Sequence, residues 1–427
     1  YYETSGNDRA IVQFDFVKPA EGIEDWELSA EAKPLPYWID ALVAEDAIFA
    51  QKWLGSPQTF YYNFPITAPS YLSRSDLTGW SPLTAAQKTL ILKAFDYIES
   101  IVDLQFIETQ DPTNPNVMLF SNNRQVGSAS YAIYPSDTAS GSDVFINAIR
   151  SNLSPSESSY AALVLIHEMG HALGLKHPFE DGENETPPYL SAKEDNGLWT
   201  IMSYTIDENQ YQLRFSPLDI AALQYLYGPS RSAPPYDNTY FVNLKGPNFI
   251  WDAAGFDLIE ASWIEDPMVL SLKEGDWSWI GGKSEYITDP GQITINIGTI
   301  IEAATTGAGA DLIRGNLESN RIRSNASDDT IYGEAGSDTI EGGVGNDSLI
   351  GGLDDDLLLG GGGTDTARFN LPSDAFTLEL GSQDDASVSF IGPSIQIVPP
   401  PPTEGSDHLV SVERLQFSDK TITIETR

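Results

Sequence analysis

Residues 306–368 are written in nine-residue steps without a gap: TGAGADLIR, GNLESNRIR, SNASDDTIY, GEAGSDTIE, GGVGNDSLI, GGLDDDLLL and GGGGTDTAR. Position six holds Asp311, Asn320, Asp329, Asp338, Asp347, Asp356 and Asp365. Position eight holds Ile313, Ile322, Ile331, Ile340, Leu349, Leu358 and Ala367. Glycines gather in the first four places, where a tight turn needs positive φ. Each repeat offers the core one regularly placed apolar residue, so none can bury a face alone and neighbours must stack. The pattern predicts a six-residue turn and a three-residue strand per repeat, with strands running parallel. A flexible Gly/Asp linker would lack the aliphatic residue at every eighth place.

Turns of this kind aim carbonyl and carboxylate oxygens at one another across adjacent layers. A calcium ion between turns neutralises carboxylates that would otherwise repel. The stretch therefore reads as a calcium-binding parallel β-roll. The candidate ligands are Gly307, Gly309, Asp311, Asp329, Gly333, Gly336, Asp338, Gly342, Gly345, Asp347, Gly351, Asp356 and Asp365. The second repeat is degenerate, with Glu318 in place of a turn glycine and Asn320 in place of the aspartate. The third also lacks turn glycines, so ion binding is expected mainly at the fourth to seventh repeats.

A second constellation carries chemistry. The chain has four histidines, and three of them, His167, His171 and His177, fall within eleven residues, HEMGHALGLKH. On a helix, residues four apart differ by about 40° in azimuth, so His167 and His171 share a face. Gly174 tolerates the backbone that ends a helix and lets His177 fold back as a third nitrogen ligand. Three neutral imidazoles with an open fourth position describe catalytic rather than structural zinc. Glu168 stands beside the site as a candidate base. Ser154, Pro155 and Glu157 read as the start of this helix. The run from Tyr160 to Leu173 is apolar nearly all round, as in a central helix. A core helix whose polar residues merely happen to be histidines would bury three imidazoles and a carboxylate without partners, at a cost.

This motif, followed by Pro178 and by Ile201-Met202-Ser203-Tyr204, resembles the metzincin zinc proteases, and within them the serralysin family. The resemblance implies that Met202 floors the zinc site and that Tyr204 is a switchable zinc ligand and oxyanion donor. It implies that Ser130–Tyr134 is the edge strand above the cleft, where substrate adds as a further strand, and that the backbone of Ala132 helps hold the scissile carbonyl. It implies an Asp-rich calcium loop with Asp252 and Asp257 as ligands, and Glu302 binding the first calcium ahead of the repeats; the plainer reading of each loop is an acidic turn. Residues 179–200 are shorter than expected for the family and rich in Glu and Asp, so the cleft rim differs. The fold class expected is an α+β metzincin zinc-protease domain followed by an all-β parallel β-roll. The expected division is 1–35, an N-terminal extension of unknown role; 36–240, catalytic; and 241–427, a β-roll and sandwich domain.

Local signals fit that order. Thr84 and Gln87 form a capping box ahead of an amphipathic helix carrying Leu90, Ile91, Ala94, Phe95, Ile98 and Val102. Strands are expected at 59–64, 104–108, 117–120, 129–134 and 143–146, then at 248–251, 268–272 and 292–297, with closing strands at 407–421. Ser216–Asp219 opens a helix that Gly228 ends, read as packing. Pro399 to Pro402 reads as a rigid loop.

Composition narrows partners. With 62 acidic against 23 basic residues the net charge is −39, a surface that repels nucleic acid and anionic lipid and attracts cations. A generally solvated acidic face accounts for part of it. There is no cysteine, so metal is the available staple. No apolar run reaches membrane-spanning length. The chain opens on Tyr1, which reads as processed or trimmed, with no signal peptide visible. The expected function is a secreted, extracellular zinc endopeptidase that cuts internal peptide bonds of proteins by Glu168-assisted attack of zinc-bound water, with one catalytic Zn2+ and several structural Ca2+. Export in one step from a Gram-negative bacterium is implied by resemblance, and a monomer is expected. Competing readings are a calcium-dependent adhesion protein with a non-proteolytic zinc domain, and a zinc hydrolase acting on something other than protein.

Overall fold

A computed structural model describes residues 35–45, 47, 54–113, 117–180, 186–231, 236–380, 385–390 and 405–424. The expected N-terminal extension, apart from residue 35, and the proline loop lie outside them. The chain divides into two compact units, residues 35–260 with 271–301, and residues 261–270 with 302–427. The first carries the helices, and the second carries the repeats.

In the helical unit five strands make one sheet: β1 (Thr59–Asn63), β2 (Gln105–Glu108), β3 (Val117–Asn123), β4 (Ser130–Ala132) and β5 (Val144–Asn147). Their order is β2-β1-β3-β5-β4. All neighbours are parallel except β4, which runs antiparallel to β5 and forms an edge. β3 is buried along its whole length, as a central strand of a parallel sheet covered on both faces must be. The helix Ala85–Ile101 starts at the expected capping box: Thr84 Oγ1 accepts from Gln87 N–H at 3.2 Å, and Gln87 Oε1 accepts from Thr84 N–H at 2.8 Å. Its buried face carries Leu90, Ile91, Ala94, Phe95 and Ile98. Phe95 stacks on Phe106 with centroids 4.2 Å apart.

The helix Tyr160–Ala172 lies in the middle of this unit, with Ala161 to Ile166 and Glu168 to Ala172 buried. Burial of a Leu or Ile side chain contributes roughly 1.5–3 kcal/mol, so the helix is held by packing rather than propensity. Its start differs from the sequence reading. Ser159, not Ser154, is the N-cap, and its hydroxyl accepts from Ala162 N–H at 3.3 Å. Residues 155–158 form a separate turn, closed by Ser156 N–H to Ser159 Oγ and by Ser159 Oγ–H to Ser156 O. A short helix, Arg150–Leu153, ends before it.

Further strands belong to the same unit: β6 (Thr239–Phe241), β7 (Asn248–Ile250), β8 (Leu258–Glu260), β10 (Trp277–Ile280) and β11 (Gln292–Ile295). β10 and β11 are antiparallel, whereas β11 with β7 and β6 with β8 are parallel. Ile287 joins the buried core of this unit, and Phe249, Trp251 and Trp277 pack against it.

In the repeat unit, β9 (Met268–Ser271) and β12 (Ala303–Thr305) precede seven strands, one per repeat. They are β13 (Leu312–Arg314), β14 (Arg321–Arg323), β15 (Thr330–Ala335), β16 (Thr339–Val344), β17 (Ser348–Leu353), β18 (Leu357–Gly362) and β19 (Thr366–Arg368). Odd-numbered strands stack in one sheet and even-numbered in the other, each residue paired with the one 18 places on, as Ile313 with Ile331 and Ile322 with Ile340. The residues at position eight, from Ile313 to Ala367, are all at most 1% exposed. Four middle strands are six residues long rather than three, because register persists into the next turn, as at Gly343 with Gly361. The strands Ser406–Val410, Arg414–Gln416 and Thr421–Thr423 close the stack; the first two pair parallel with β18 and β19.

Candidate active site

The helix Tyr160–Ala172 ends at Gly174, whose φ is +101°. Leu175 N–H donates to Gly170 O and Gly174 N–H to His171 O, both at 2.9 Å. This is the Schellman pairing of a helix end with a left-handed residue. It turns the chain back so that His177 meets the two helical histidines, as the sequence predicted.

The three rings are fixed from behind. His167 Nδ1 lies 2.7 Å from Ile201 O, and His171 Nδ1 lies 2.8 Å from Leu175 O. A carbonyl only accepts, so each Nδ1 carries the proton and each Nε2 presents its lone pair. Those Nε2 atoms converge: His171 to His177 is 3.1 Å, and His177 to His167 is 3.4 Å. Burial pushes His167 down to about 4 and His171 well below its ordinary value, so both are neutral near pH 7. Neutral rings with lone pairs aimed at a common point repel unless a cation shares them, and this donor set fits zinc.

Glu168 is buried beside the trio. Burial raises its pKa to about 8, and a hydrogen bond from the Ala132 backbone amide offsets part of that rise. A divalent charge beside it would lower the value further. Ala132 belongs to the edge strand β4, so edge and carboxylate are tied together; the sequence reading had given this backbone only to substrate.

Met202 is fully buried. A Cβ at Gly170 would come within 2.8 Å of its sulfur, so this glycine, which costs about 1 kcal/mol inside a helix, makes room for the methionine. Tyr204 is 65% exposed, with its ring 4.8 Å from that of His177. Phe179 stacks on His177 at 5.2 Å and touches Tyr204 at 4.9 Å.

Asp219 had been read as packing. Its fully buried carboxylate accepts from Thr200 Oγ1 at 2.6 Å, Ile201 N–H at 2.8 Å and Ser216 N–H at 2.8 Å. It therefore fixes the turn that bears Met202 and the carbonyl that orients His167. The capping-box pattern Ser216-Pro-Leu-Asp219 announced a helix start, but nothing local announced the second segment it holds.

The repeat unit places its acids in a regular ladder. Oδ1 of Asp329, Asp338, Asp347, Asp356 and Asp365 accepts the amide of the residue 18 places earlier at 2.7–2.9 Å, and Asp311 accepts from Met268 N–H at 2.8 Å. Oδ2 of all six is buried without a hydrogen-bond partner of ordinary geometry. Burial raises Asp338 to about 8 and Asp356 to about 7. Glycine stands against these oxygens: a Cβ at Gly333, Gly342 or Gly351 would lie 2.1–2.3 Å from the Oδ2 of Asp338, Asp347 or Asp356. Where glycine cradles them, at Asp338, Asp347 and Asp356, these buried, half-satisfied carboxylates fit calcium. Gly307 and Gly309 instead press on the backbone of Ile264 and Asp266, and Gly336 and Gly345 on that of Glu318 and Ser327.

In the helical unit Asp252 and Asp257 are brought together through Asn238, whose side chain donates to Asp252 Oδ2 at 2.7 Å and whose N–H donates to Asp257 Oδ1 at 2.8 Å. Asp252 also accepts from Ala253 N–H, Ala254 N–H and Tyr240 Oη. Glu302, in the repeat unit, accepts Arg321 N–H on its carbonyl at 2.8 Å.

Comparison with known proteins agrees with both halves. Residues 81–216 match the family model of Metallo-peptidase family M12, and residues 305–340 and 332–367 match that of the RTX calcium-binding nonapeptide repeat. The chain thus joins an M12-type metallopeptidase domain to a calcium-binding RTX β-roll. It is similar to Metallopeptidase AprA of Pseudomonas marginalis, with 31% identity over 61% of this chain and 60% of that one. It is likewise similar to Serralysin of Proteus mirabilis, with 29% identity over 65% of this chain and 64% of that one. The chain spans about three fifths of the length of these relatives.

Proposed function

We propose that this protein is a secreted zinc endopeptidase whose C-terminal roll is stabilised by calcium. The observation that carries the reading is the convergence of three imidazole Nε2 atoms beside one buried carboxylate. His167, His171 and His177 would hold the zinc, which when bound supplies a Lewis acid and lowers the pKa of a ligated water. Glu168 would take a proton from the attacking water on its carboxylate and return it to the leaving amine. Its burial keeps the proton affinity high enough for that exchange. Tyr204, exposed at the rim, would donate its hydroxyl hydrogen to the oxyanion as charge develops. The edge of β4 suits an extended peptide, adding main-chain hydrogen bonds that are indifferent to sequence. Protein substrates follow from that edge and from the named relatives. Secretion follows from a cysteine-free, strongly acidic chain whose fold depends on a cation abundant outside cells. No described helix is long and apolar enough to cross a membrane.

The deciding experiment is hydrolysis of casein, with and without o-phenanthroline, by the wild type and by Glu168→Gln. Cleavage lost in both cases supports the reading. Cleavage retained by Glu168→Gln would remove Glu168 as the base, and no cleavage by the zinc-loaded wild type would leave the adhesion protein and the hydrolase of non-protein substrates in its place.

A further inference from the structure

The third repeat, residues 324–332, breaks the glycine pattern yet keeps the backbone that glycine serves. Asn325 and Ser327 have φ of +71° and +85°. The corresponding residues of the fifth repeat are Gly343 and Gly345, and of the seventh, Gly361 and Gly363, all with positive φ. A non-glycine residue in that region is strained by roughly 1 kcal/mol or more, so the side chains must return something. They do so by donating. Asn325 Nδ2 reaches Thr306 O at 2.5 Å, Ser327 Oγ reaches Ala308 O at 2.7 Å, and Ser324 Oγ reaches Gly342 O at 2.7 Å. These acceptors are first- and third-position carbonyls of the turns on either side along the same edge of the roll.

The opposite edge has its own substitute. In the second repeat Asn320 Oδ1 accepts from Asn316 N–H at 2.8 Å, while Asn320 Nδ2 donates to Asn316 Oδ1 at 3.1 Å. The neutral amide closes its own turn and brings no charge to be neutralised. From Gly333 onward no first-position side chain donates, although Glu334 and Asp354 still hold positive φ, +84° and +76°, without glycine. Gly333, Gly342, Gly351 and Gly360 carry no side chain to donate, and a Cβ at each would meet the Oδ2 of its own repeat's aspartate within 2.1–2.6 Å. At Gly333 that Cβ would also lie 2.4 Å from Gly351 O.

We infer that the roll is built in two parts: residues 306–332 are closed by side-chain protons from Asn320, Ser324, Asn325 and Ser327 and stand without calcium, whereas residues 333–368 require it. The first part is then a preformed end on which the second stacks when calcium arrives. The inference rests on the calcium reading of the repeats and is independent of the peptidase reading.

Amide hydrogen exchange of the full chain in calcium and in EGTA tests it. On chelation, amides of β17 and β18 should exchange about 100-fold faster or more, and those of β13 and β14 should stay within about threefold. Equal loss in both sets overturns the inference. No loss in either overturns the calcium reading along with it. The triple change Ser324→Gly, Asn325→Gly and Ser327→Gly restores the glycine pattern. It should bind about one additional calcium per chain and make the protection of β13 calcium-dependent. Unchanged stoichiometry with unchanged protection in EGTA would overturn the inference as well.

Discussion

Asp219 Oδ2 accepts the backbone N–H of Ile201 at 2.8 Å, and the carbonyl of that same Ile201 accepts from His167 Nδ1 at 2.7 Å. One buried carboxylate on the last α-helix of the helical unit thereby sets the ring angle of His167 across a single residue.

Replacing Asp219 by Ala leaves the buried donors on Thr200, Ile201 and Ser216 without an acceptor. At about 1–3 kcal/mol for each unsatisfied group, the variant should lose roughly 3 kcal/mol or more in urea unfolding and bind zinc more weakly. Asp219→Asn keeps an acceptor and should lose less. Equal stability of wild type and Asp219→Ala would refute the holding role.

Glu168→Gln keeps shape and removes proton affinity. Zinc content measured by mass spectrometry should stay at the wild-type level. Peptide hydrolysis should fall by about 100-fold or more, the scale of a lost general base.

Asp143 predicts a pH dependence unrelated to the metal sites. Burial raises its pKa from 3.8 to about 8, against hydrogen bonds from Leu119 N–H and Tyr71 Oη. A carboxyl whose folded value is raised binds its proton more tightly when folded. Its contribution is complete below about pH 3.8 and is lost as pH rises to about 8, at up to about 1.4 kcal/mol per pH unit. Asp143→Asn should flatten the fall in stability between pH 5 and pH 8; an unaltered slope in denaturant titrations would refute the assignment.

Gly351→Ala puts a methyl group 2.1 Å from Asp356 Oδ2. Thermal unfolding followed in calcium should shift down by several degrees, while in EGTA, where residues 333–368 hold no ion, the melting of the rest of the chain should change little. Equal shifts in both conditions would mean that the glycine serves backbone packing alone.

Much of this was legible because it is periodic or adjacent. The nine-residue step gave the parallel strands and the buried row from Ile313 to Ala367, and HEMGHALGLKH gave the trio because its three histidines lie on one helix and the turn after it. Thr84 with Gln87 announced its helix correctly. Ser154 did not, because Ser159 offered an equally good cap nearer the apolar run and the intervening proline suited a turn as well as a helix. Asp219, Gly170 and the amide of Ala132 escaped because each acts on a segment distant in sequence, through contacts without a local pattern. The role of Asn325 and Ser327 escaped for another reason: position for position they look like decay, and only their φ angles and donors show otherwise.

The carboxylate ladder joins each turn to the one 18 residues away and never to its immediate successor. The roll is therefore two interleaved files sharing one interior. Losing a single nonapeptide would move every later turn to the opposite file and exchange the partners of the closing strands that pair with β18 and β19, whereas losing a pair would leave both files in step. Growth or shrinkage of this half of the molecule is thus confined to even counts.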